Sequence, residues 1–164
     1  MAQLDRKVSA ISEARARRAN APTRTGPVPN PQREAEQQTI EQKDYWISRN
    51  GLTYAGSHLI LDLWEAENLA DQAHIERALI ETVNAAGGTL LHIHLHTFEP
   101  NGGVSGVAVL SESHISVHTW PERGFAAFDI FMCGAAEPTK AIPVLEKAFK
   151  PKRMVIGDHK RGVL

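Results

Sequence analysis

The spacing of apolar positions changes several times along the chain, and each spacing predicts a different element. Residues 54–64 are apolar at most positions, which is typical of a largely buried strand. Thr89 to Phe98 alternates instead, with Leu91, Ile93 and Leu95 on one face and His92, His94 and His96 on the other. Further strand patterns cover 104–110, 115–119, 125–133 and 153–158.

Two segments have the helical period. Asp71 is a suitable N-cap for a helix that ends at Gly87 and Gly88. Its apolar stripe consists of Ile75, Ala78, Leu79, Thr82 and Val83. A second helix is predicted over about 139–150, and Pro143 falls near enough to its start not to break it.

Several strands and two helices predict an α+β fold. Each helix needs one face to pack on, so we expect a two-layer α/β sandwich with a mainly antiparallel sheet and both helices on one face. The opposite face of the sheet must then pack against another surface. A second copy of the same sheet is the simplest partner, which predicts a homodimer.

The first 45 residues differ from the rest. We expect 1–45 to be a basic, partly disordered extension with a short helix over 4–18, and 46–164 to be the folded domain. The basic side chains up to residue 33 are Arg6, Lys7, Arg15, Arg17, Arg18, Arg24 and Arg33, against the acidic Asp5 and Glu13. This segment has no aromatic residues to stack on bases, so a solvated tail is favoured over a nucleic-acid arm.

Composition narrows the class of protein. The chain has 164 residues, 42% of them hydrophobic, and a formal net charge of −1. No stretch approaches the roughly 20 apolar residues that span a bilayer, and no secretory signal is evident. We therefore expect a cytoplasmic protein without a membrane segment.

His92, His94 and His96 form a comb of imidazoles that resembles a metal site. Strand neighbours on one face lie about 7 Å apart, and a metal site would need further ligands and a supporting carboxylate from elsewhere. We favour a polar sheet face or an interface, and predict no metal. His94 can still reach an active site if a second copy shares that face.

The run from Ser111 to Glu122, together with Cys133, concentrates reactive side chains. It contains a Glu112-Ser113 bond, His114, His118, Trp120 and Glu122. The single cysteine excludes an internal disulfide. Cys133 is therefore either a small buried residue or a reagent, and composition alone favours the former.

Residues 104–134, from Val104-Ser105 through Glu112-Ser113-His114 and His118 to Cys133-Gly134, closely resemble the bacterial S-adenosylmethionine decarboxylase family. The resemblance is strongest over 98–134 and extends more loosely over 54–162. Members of that family are proenzymes that convert an internal serine into a pyruvoyl group. The resemblance implies cleavage between Glu112 and Ser113, giving chains 1–112 and 113–164 and a pyruvoyl cofactor derived from Ser113.

The same resemblance implies roles for the other residues. Ser105 hydrogen-bonds the processing intermediate, and His118 is the base in processing. The pyruvoyl ketone then forms a Schiff base with the substrate amine and accepts the electrons released as CO2 leaves. Cys133 returns a proton to the α-carbon.

The implied substrate is S-adenosylmethionine, whose decarboxylated form serves spermidine synthesis. Adenine is expected between Phe98 and His118, with Trp120 as a wall of the pocket and Glu122 accepting from the ribose hydroxyls. Phe98 and Trp120 could instead belong to the core, and Glu122 to a solvated loop. Arginine or ornithine is the alternative substrate, and a non-catalytic or metal-binding scaffold is the third interpretation.

Strand geometry adds one local prediction. Ser113 and His118 are five residues apart, so in a regular strand they face opposite sides. We therefore expect a bulge, a turn or a strained backbone around Glu112 to His114.

Overall fold

A computed structural model describes residues 45–164. The predicted basic, partly disordered extension and its short helix over 4–18 lie outside the described residues. The strands are β1 (Ile47–Arg49), β2 (Leu52–Tyr54), β3 (Gly56–Trp64), β4 (Leu90–Phe98), β5 (Gly103–Leu110), β6 (Ser113–Trp120), β7 (Phe125–Met132) and β8 (Arg153–Arg161). The helices are α1 (Gln72–Ala86) and α2 (Ala141–Phe149). Short 3₁₀ turns span Pro121–Arg123 and Pro138–Lys140.

Six of these strands form one sheet in the order β4-β5-β6-β7-β3-β8. Every neighbouring pair in it is antiparallel, and β1 and β2 form a separate antiparallel hairpin. The predicted α+β fold with an antiparallel sheet is confirmed. Strand β6 lies inside the sheet between β5 and β7, so its backbone is fixed on both sides.

Both helices cover one face of the sheet. Asp71 caps α1 by accepting a hydrogen bond from the His74 N–H at 2.9 Å, and Gly87 ends it with φ 73°. The whole predicted stripe of α1, from Ile75 to Val83, is buried, as predicted. Helix α2 follows the Pro138–Lys140 turn, and its Pro143 lies in the first turn, where a missing N–H costs little.

The core lies between the helices and that sheet face. Strand β7 alternates strictly, with Ala126, Phe128, Ile130 and Met132 buried against the helices. Phe128 meets Phe149 of α2 with ring centroids 5.4 Å apart. In β5, Gly106 faces the same way, and a Cβ there would collide with the His94 carbonyl oxygen of β4. Glycine at this position therefore permits the close approach of the two strands.

The alternation predicted for β4 is wrong at one residue. The register of β4 against β5 shifts between Leu90 and His92, and Leu91 is 62% exposed instead of facing the core. Leu90 takes its place beside Ile93 and Leu95 against the core. An irregularity of this kind inserts a residue into the ladder, which single-strand periodicity does not register.

Strand limits also differ from the predicted ones. The segment expected as one strand over 54–64 is divided at Ala55 into the end of β2 and the start of β3. Strand β6 begins at Ser113, two residues before the predicted Ile115. The scissile bond implied by the resemblance therefore enters a strand directly.

The face away from the helices is called the open face. Its exposed apolar side chains are Ile60, Phe98, Val109, Trp120 and Val155. His92, His94 and His96 are exposed on it along the edge strand β4. In the part of the chain that the structure describes, no group of three or more potential ligand side chains is arranged to hold a metal ion.

Candidate active site

The Glu112-Ser113 bond lies at the junction of a tight turn and β6. Leu110 of β5 pairs with Ser113, so only Ser111 and Glu112 form the loop. Two-residue hairpin loops usually need positive φ within the loop. Among residues 45–164, neither loop residue has positive φ, whereas Ser113 has φ 151°. The predicted turn and strained backbone are confirmed, and the strain falls on the serine itself.

Cys133 holds the carbonyl of the same bond. Its thiol donates to the Glu112 carbonyl oxygen at 3.0 Å, and its backbone N–H donates to that oxygen at 3.1 Å. Both Glu112 and Cys133 are partly buried. Two donors on one carbonyl oxygen polarise it and can stabilise negative charge there.

Thr89 holds the side chain of Glu112, and sequence reasoning gave it no role. Its N–H donates to Glu112 Oε2 at 2.8 Å, and its hydroxyl donates to Oε1 at 3.1 Å. Thr89 lies between the glycines that end α1 and the first residue of β4. Nothing in hydrophobic spacing distinguishes it, because the contact joins residues 23 positions apart in the chain.

Ser105 and His118 form a pair on the open face. They are directly opposite each other in β5 and β6, and Ser105 Oγ lies 2.8 Å from His118 Nδ1. The structure therefore brings together two residues that the resemblance placed in processing. His118 is exposed, so its remaining ring nitrogen is accessible.

A cavity of about 300 Å³ opens beside Ser105. Its walls include Ser105, Phe98, Trp120 and Glu122, but not His118, which was expected on the other side of adenine from Phe98. Phe98 is 51% exposed and Trp120 41% exposed, so the alternative that they belong to the core is wrong. Sequence reasoning missed Glu99 and Asn101, which line the same cavity from the β4–β5 loop.

Aromatic rings continue from this cavity across the open face. Trp120 lies 5.3 Å from Phe125, and Phe125 lies 4.5 Å from Trp64, measured between ring centroids. The Arg153 guanidinium lies 4.9 Å from the centre of the Trp64 ring. The row presents π faces and one cation at the surface.

These residues form two separate groups. The cleavage group consists of Glu112, Ser113 and Cys133, and the recognition group consists of Phe98, Ser105, His118, Trp120 and Glu122. Ser113 is the first and His118 the sixth residue of β6, and at the rise of a strand this is a separation of about 17 Å. Each group is assembled locally, but one chain does not bring the two groups into contact.

A charged network lies on the open face near the cleavage group. Arg161 Nη1 donates to His58 Nδ1 at 3.2 Å, and Ser116 Oγ donates to Asp129 at 3.2 Å. His58 Nε2 lies 3.3 Å from Asp129 Oδ1, without good hydrogen-bond geometry. This network gives the face fixed charges of both signs.

Comparison with known proteins gives the class first. The structure is similar to the crystal structure of the adenosylmethionine decarboxylase from Aquifex aeolicus VF5, with a TM-score of 0.60 and 33% identity, covering 68% of this chain and 93% of that one. Fold and sequence thus define an α+β decarboxylase-like domain. The family model for S-adenosylmethionine decarboxylase matches residues 57–162.

Individual relatives agree with that match. The S-adenosylmethionine decarboxylase proenzyme of Methanococcus maripaludis strain C7 is 51% identical over 112 residues, covering 66% of this chain and 91% of the relative. The proenzyme of Thermomicrobium roseum is 44% identical over 110 residues, covering 66% and 95%. This chain belongs to the S-adenosylmethionine decarboxylase family, which is pyruvoyl-dependent. Neither helix within residues 45–164 has the length and apolar character needed to cross a bilayer.

Proposed function

We propose that this chain cleaves itself between Glu112 and Ser113 and then decarboxylates S-adenosylmethionine, releasing CO2 and the decarboxylated product used for spermidine synthesis. One observation carries the proposal above all. In a member of this family, the Glu112 carbonyl oxygen receives two hydrogen bonds from Cys133, and the next residue is a serine at φ 151°. A peptide bond held in this way is prepared for attack.

Cleavage begins with the Ser113 hydroxyl. Its oxygen attacks the Glu112 carbonyl carbon, and the Cys133 thiol and N–H stabilise the charge that develops on the carbonyl oxygen. The peptide becomes an ester and the Ser113 nitrogen becomes an amine, which relieves the strain at φ 151°. Loss of the Ser113 α-proton breaks the ester and expels the main-chain carboxylate of Glu112, which becomes the end of the first fragment. Residue 113 is left as dehydroalanine. Water then releases ammonia, and a pyruvoyl group remains at residue 113.

His118 serves as the base that removes a proton from Ser113 during processing. When its Nδ1–H donates to Ser105 Oγ, the lone pair of Nε2 is free to accept a proton. Ser105 then fixes the ring and its tautomer. The observed 2.8 Å contact supports this pairing of roles.

The residues around the scissile bond also fit the second reaction. The pyruvoyl group supplies an electrophilic ketone that accepts the electrons released as CO2 leaves. Cys133 lies beside the bond from which that group is built, and its thiol donates to the Glu112 carbonyl oxygen. We assign it the return of a proton to the substrate α-carbon.

The cavity supports the choice of substrate. Phe98 and Trp120 offer π faces to a flat adenine or to a sulfonium cation, and cation–π attraction supplies on the order of 0.5 to 2 kcal/mol. The Glu122 carboxylate lies on the same cavity and accepts hydrogen bonds from a ribose. Arginine and ornithine have neither an adenine nor a ribose to use these groups.

A homodimer completes the site in this proposal. Ser113 needs a base, yet His118 of the same chain is about 17 Å away along β6. The open face exposes apolar side chains around charges of both signs, which suits a second copy packed against it. Two-fold packing with the strands reversed places the recognition group of one chain opposite the cleavage group of the other.

The substrate is tested by measuring CO2 release from carboxyl-labelled S-adenosylmethionine, arginine and ornithine under identical conditions. We expect release from S-adenosylmethionine alone. Release from arginine or ornithine at an equal or higher kcat/KM would overturn the substrate assignment, while the self-cleavage would stand.

The shared site is tested by co-expressing two variants, each with its own affinity tag. A Ser113→Ala chain cannot cleave, and a His118→Ala chain cannot supply the base. If sites are shared, the Ser113→Ala chain supplies His118 and the His118→Ala chain is cut in the mixture. If neither chain is cut in a purified mixed dimer, the base acts within its own chain and the shared site is wrong.

A further inference from the structure

We infer that Thr89 is a positioning residue for self-cleavage, because it clamps the Glu112 side chain and so orients the bond that Ser113 attacks. The inference rests on the proposed function. It concerns a residue outside both the cleavage and the recognition groups, in the segment between α1 and β4.

Thr89 contacts the turn through three hydrogen bonds. Its N–H and its hydroxyl donate to the two oxygens of one carboxylate, at 2.8 Å to Glu112 Oε2 and 3.1 Å to Oε1. Its own carbonyl accepts from the Ser111 N–H at 3.0 Å. Both loop residues are therefore held by a single residue, and hydrogen bonds to a charged acceptor are the stronger kind.

Thr89 is itself fixed by the end of α1. Gly87 adopts φ 73°, and its N–H donates to the Asn84 carbonyl at 3.1 Å. The Gly88 N–H donates to the Val83 carbonyl at 2.9 Å, and Val83 is buried in the core. The clamp thus connects the loop to the folded core through the capped helix.

The clamp acts together with Cys133. Thr89 fixes the carboxylate of Glu112, and Cys133 fixes its carbonyl oxygen. With both ends of the residue held, the carbonyl group has little freedom to rotate away from the neighbouring Ser113. Orientation of reacting groups lowers the barrier by removing entropy before the reaction, so loosening one end should slow the attack.

Three variants test the clamp by time courses of cleavage after a short pulse of cell-free synthesis. Thr89→Val removes the hydroxyl and keeps the shape, and we expect cleavage about fivefold slower, given the usual worth of one hydrogen bond. Thr89→Ser restores the hydroxyl and should cleave at nearly the wild-type rate. Thr97→Val is the matched control in the strand that follows Thr89, since the Thr97 hydroxyl donates to Gln72 at 2.6 Å and not to the turn, and it should cleave normally.

A double-mutant cycle with Glu112→Ala, which removes both acceptor oxygens, separates positioning from loss of fold. If Thr89 acts through the Glu112 side chain, Thr89→Val should slow the Glu112→Ala chain much less than it slows the wild type. Thermal melting of cleavage-blocked Ser113→Ala versions should show the same stability with and without Thr89→Val.

Several results would overturn the clamp. These are an unchanged rate in Thr89→Val, an equal slowing by Thr89→Ser, or independent effects in the cycle. In each of these the wild-type chain still cleaves, so the proposed function stands. A wild-type chain that never cleaves would instead overturn the proposed function and the clamp with it.

Discussion

The two ends of β6 are built in opposite ways. At its start, Glu112 is held by Cys133 and Thr89 through four hydrogen bonds, two at the carbonyl oxygen and two at the carboxylate. At its end, the His118 side chain is hydrogen-bonded to Ser105, and Trp120 is 41% exposed. The first end is prepared for an intramolecular reaction, and the second is left open for a ligand or another chain.

This difference follows from what each end must do. Peptide cleavage happens once, and its nucleophile and the carbonyl it attacks are neighbours in sequence, so a rigid turn holds both and a second copy supplies only the base. Substrate must enter and leave repeatedly, which requires an accessible cavity. The strand between the two ends is buried in the sheet, so neither end can move toward the other without breaking β5 or β7 pairing.

The largest effect is expected from His118→Ala. Loss of a general base typically costs 10²- to 10⁴-fold, so cleavage should slow by at least about a hundredfold. His114→Ala is the matched control, since His114 lies on the same strand face and contacts Phe131 at 6.1 Å between ring centroids. The measurement is the rate of fragment formation by gel. Comparable slowing in both variants would show that His118 has no special role.

An intermediate effect is expected from Glu122→Gln at the recognition end. The amide is a weaker acceptor for ribose hydroxyls, so KM for S-adenosylmethionine should rise about tenfold, as for loss of a hydrogen bond to a charged group. Fragments 1–112 and 113–164 should still form, because Glu122 lies outside the cleavage group. Steady-state kinetics measure KM, and a denaturing gel measures fragment formation. Blocked cleavage, or normal cleavage with an unchanged KM, would contradict the division into two ends.

The smallest effect is expected from Thr119→Val, which tests how the core supports the cavity. The Thr119 hydroxyl donates to the Leu69 carbonyl at 2.7 Å and accepts from the Val104 N–H at 2.8 Å. The side chain is buried, so the variant should lose about 1–3 kcal/mol in free energy of unfolding. Denaturant unfolding measures this loss, with the partly buried Thr97→Val as the control. If Thr119→Val and Thr97→Val have the same free energy of unfolding, the two buried hydrogen bonds of the Thr119 hydroxyl contribute nothing to stability.

Much of the architecture could be predicted from the sequence because it depends on local periodicity. The capped helix α1, its buried stripe and the antiparallel sheet all follow from spacing and end signals. The error at Leu91 arose because a ladder irregularity depends on the partner strand. The limits of β6 were missed because Ser113 carries no apolar signal, although strand parity did predict a distortion around it.

The site was predictable in part. The motif from Ser105 to Cys133 names the reactive residues, but their roles remain proposals. Strand spacing in the sequence already separated Ser113 from His118, but it did not reveal which other residues join each of them, because those contacts come from neighbouring strands and loops. Sequence patterns did not identify Thr89 and Asn101 as site residues, because their contacts join segments that are distant in the chain.

The central claim is that the peptide bond between Glu112 and Ser113 is cut, and intact-mass analysis of the purified protein tests it most directly. The account predicts two chains, 1–112 and 113–164, in place of the 18.0 kDa precursor, with the second lacking a free amine at its first residue. Ser113→Ala should remain a single chain. An uncut wild-type chain that nevertheless releases CO2 from S-adenosylmethionine would contradict the account.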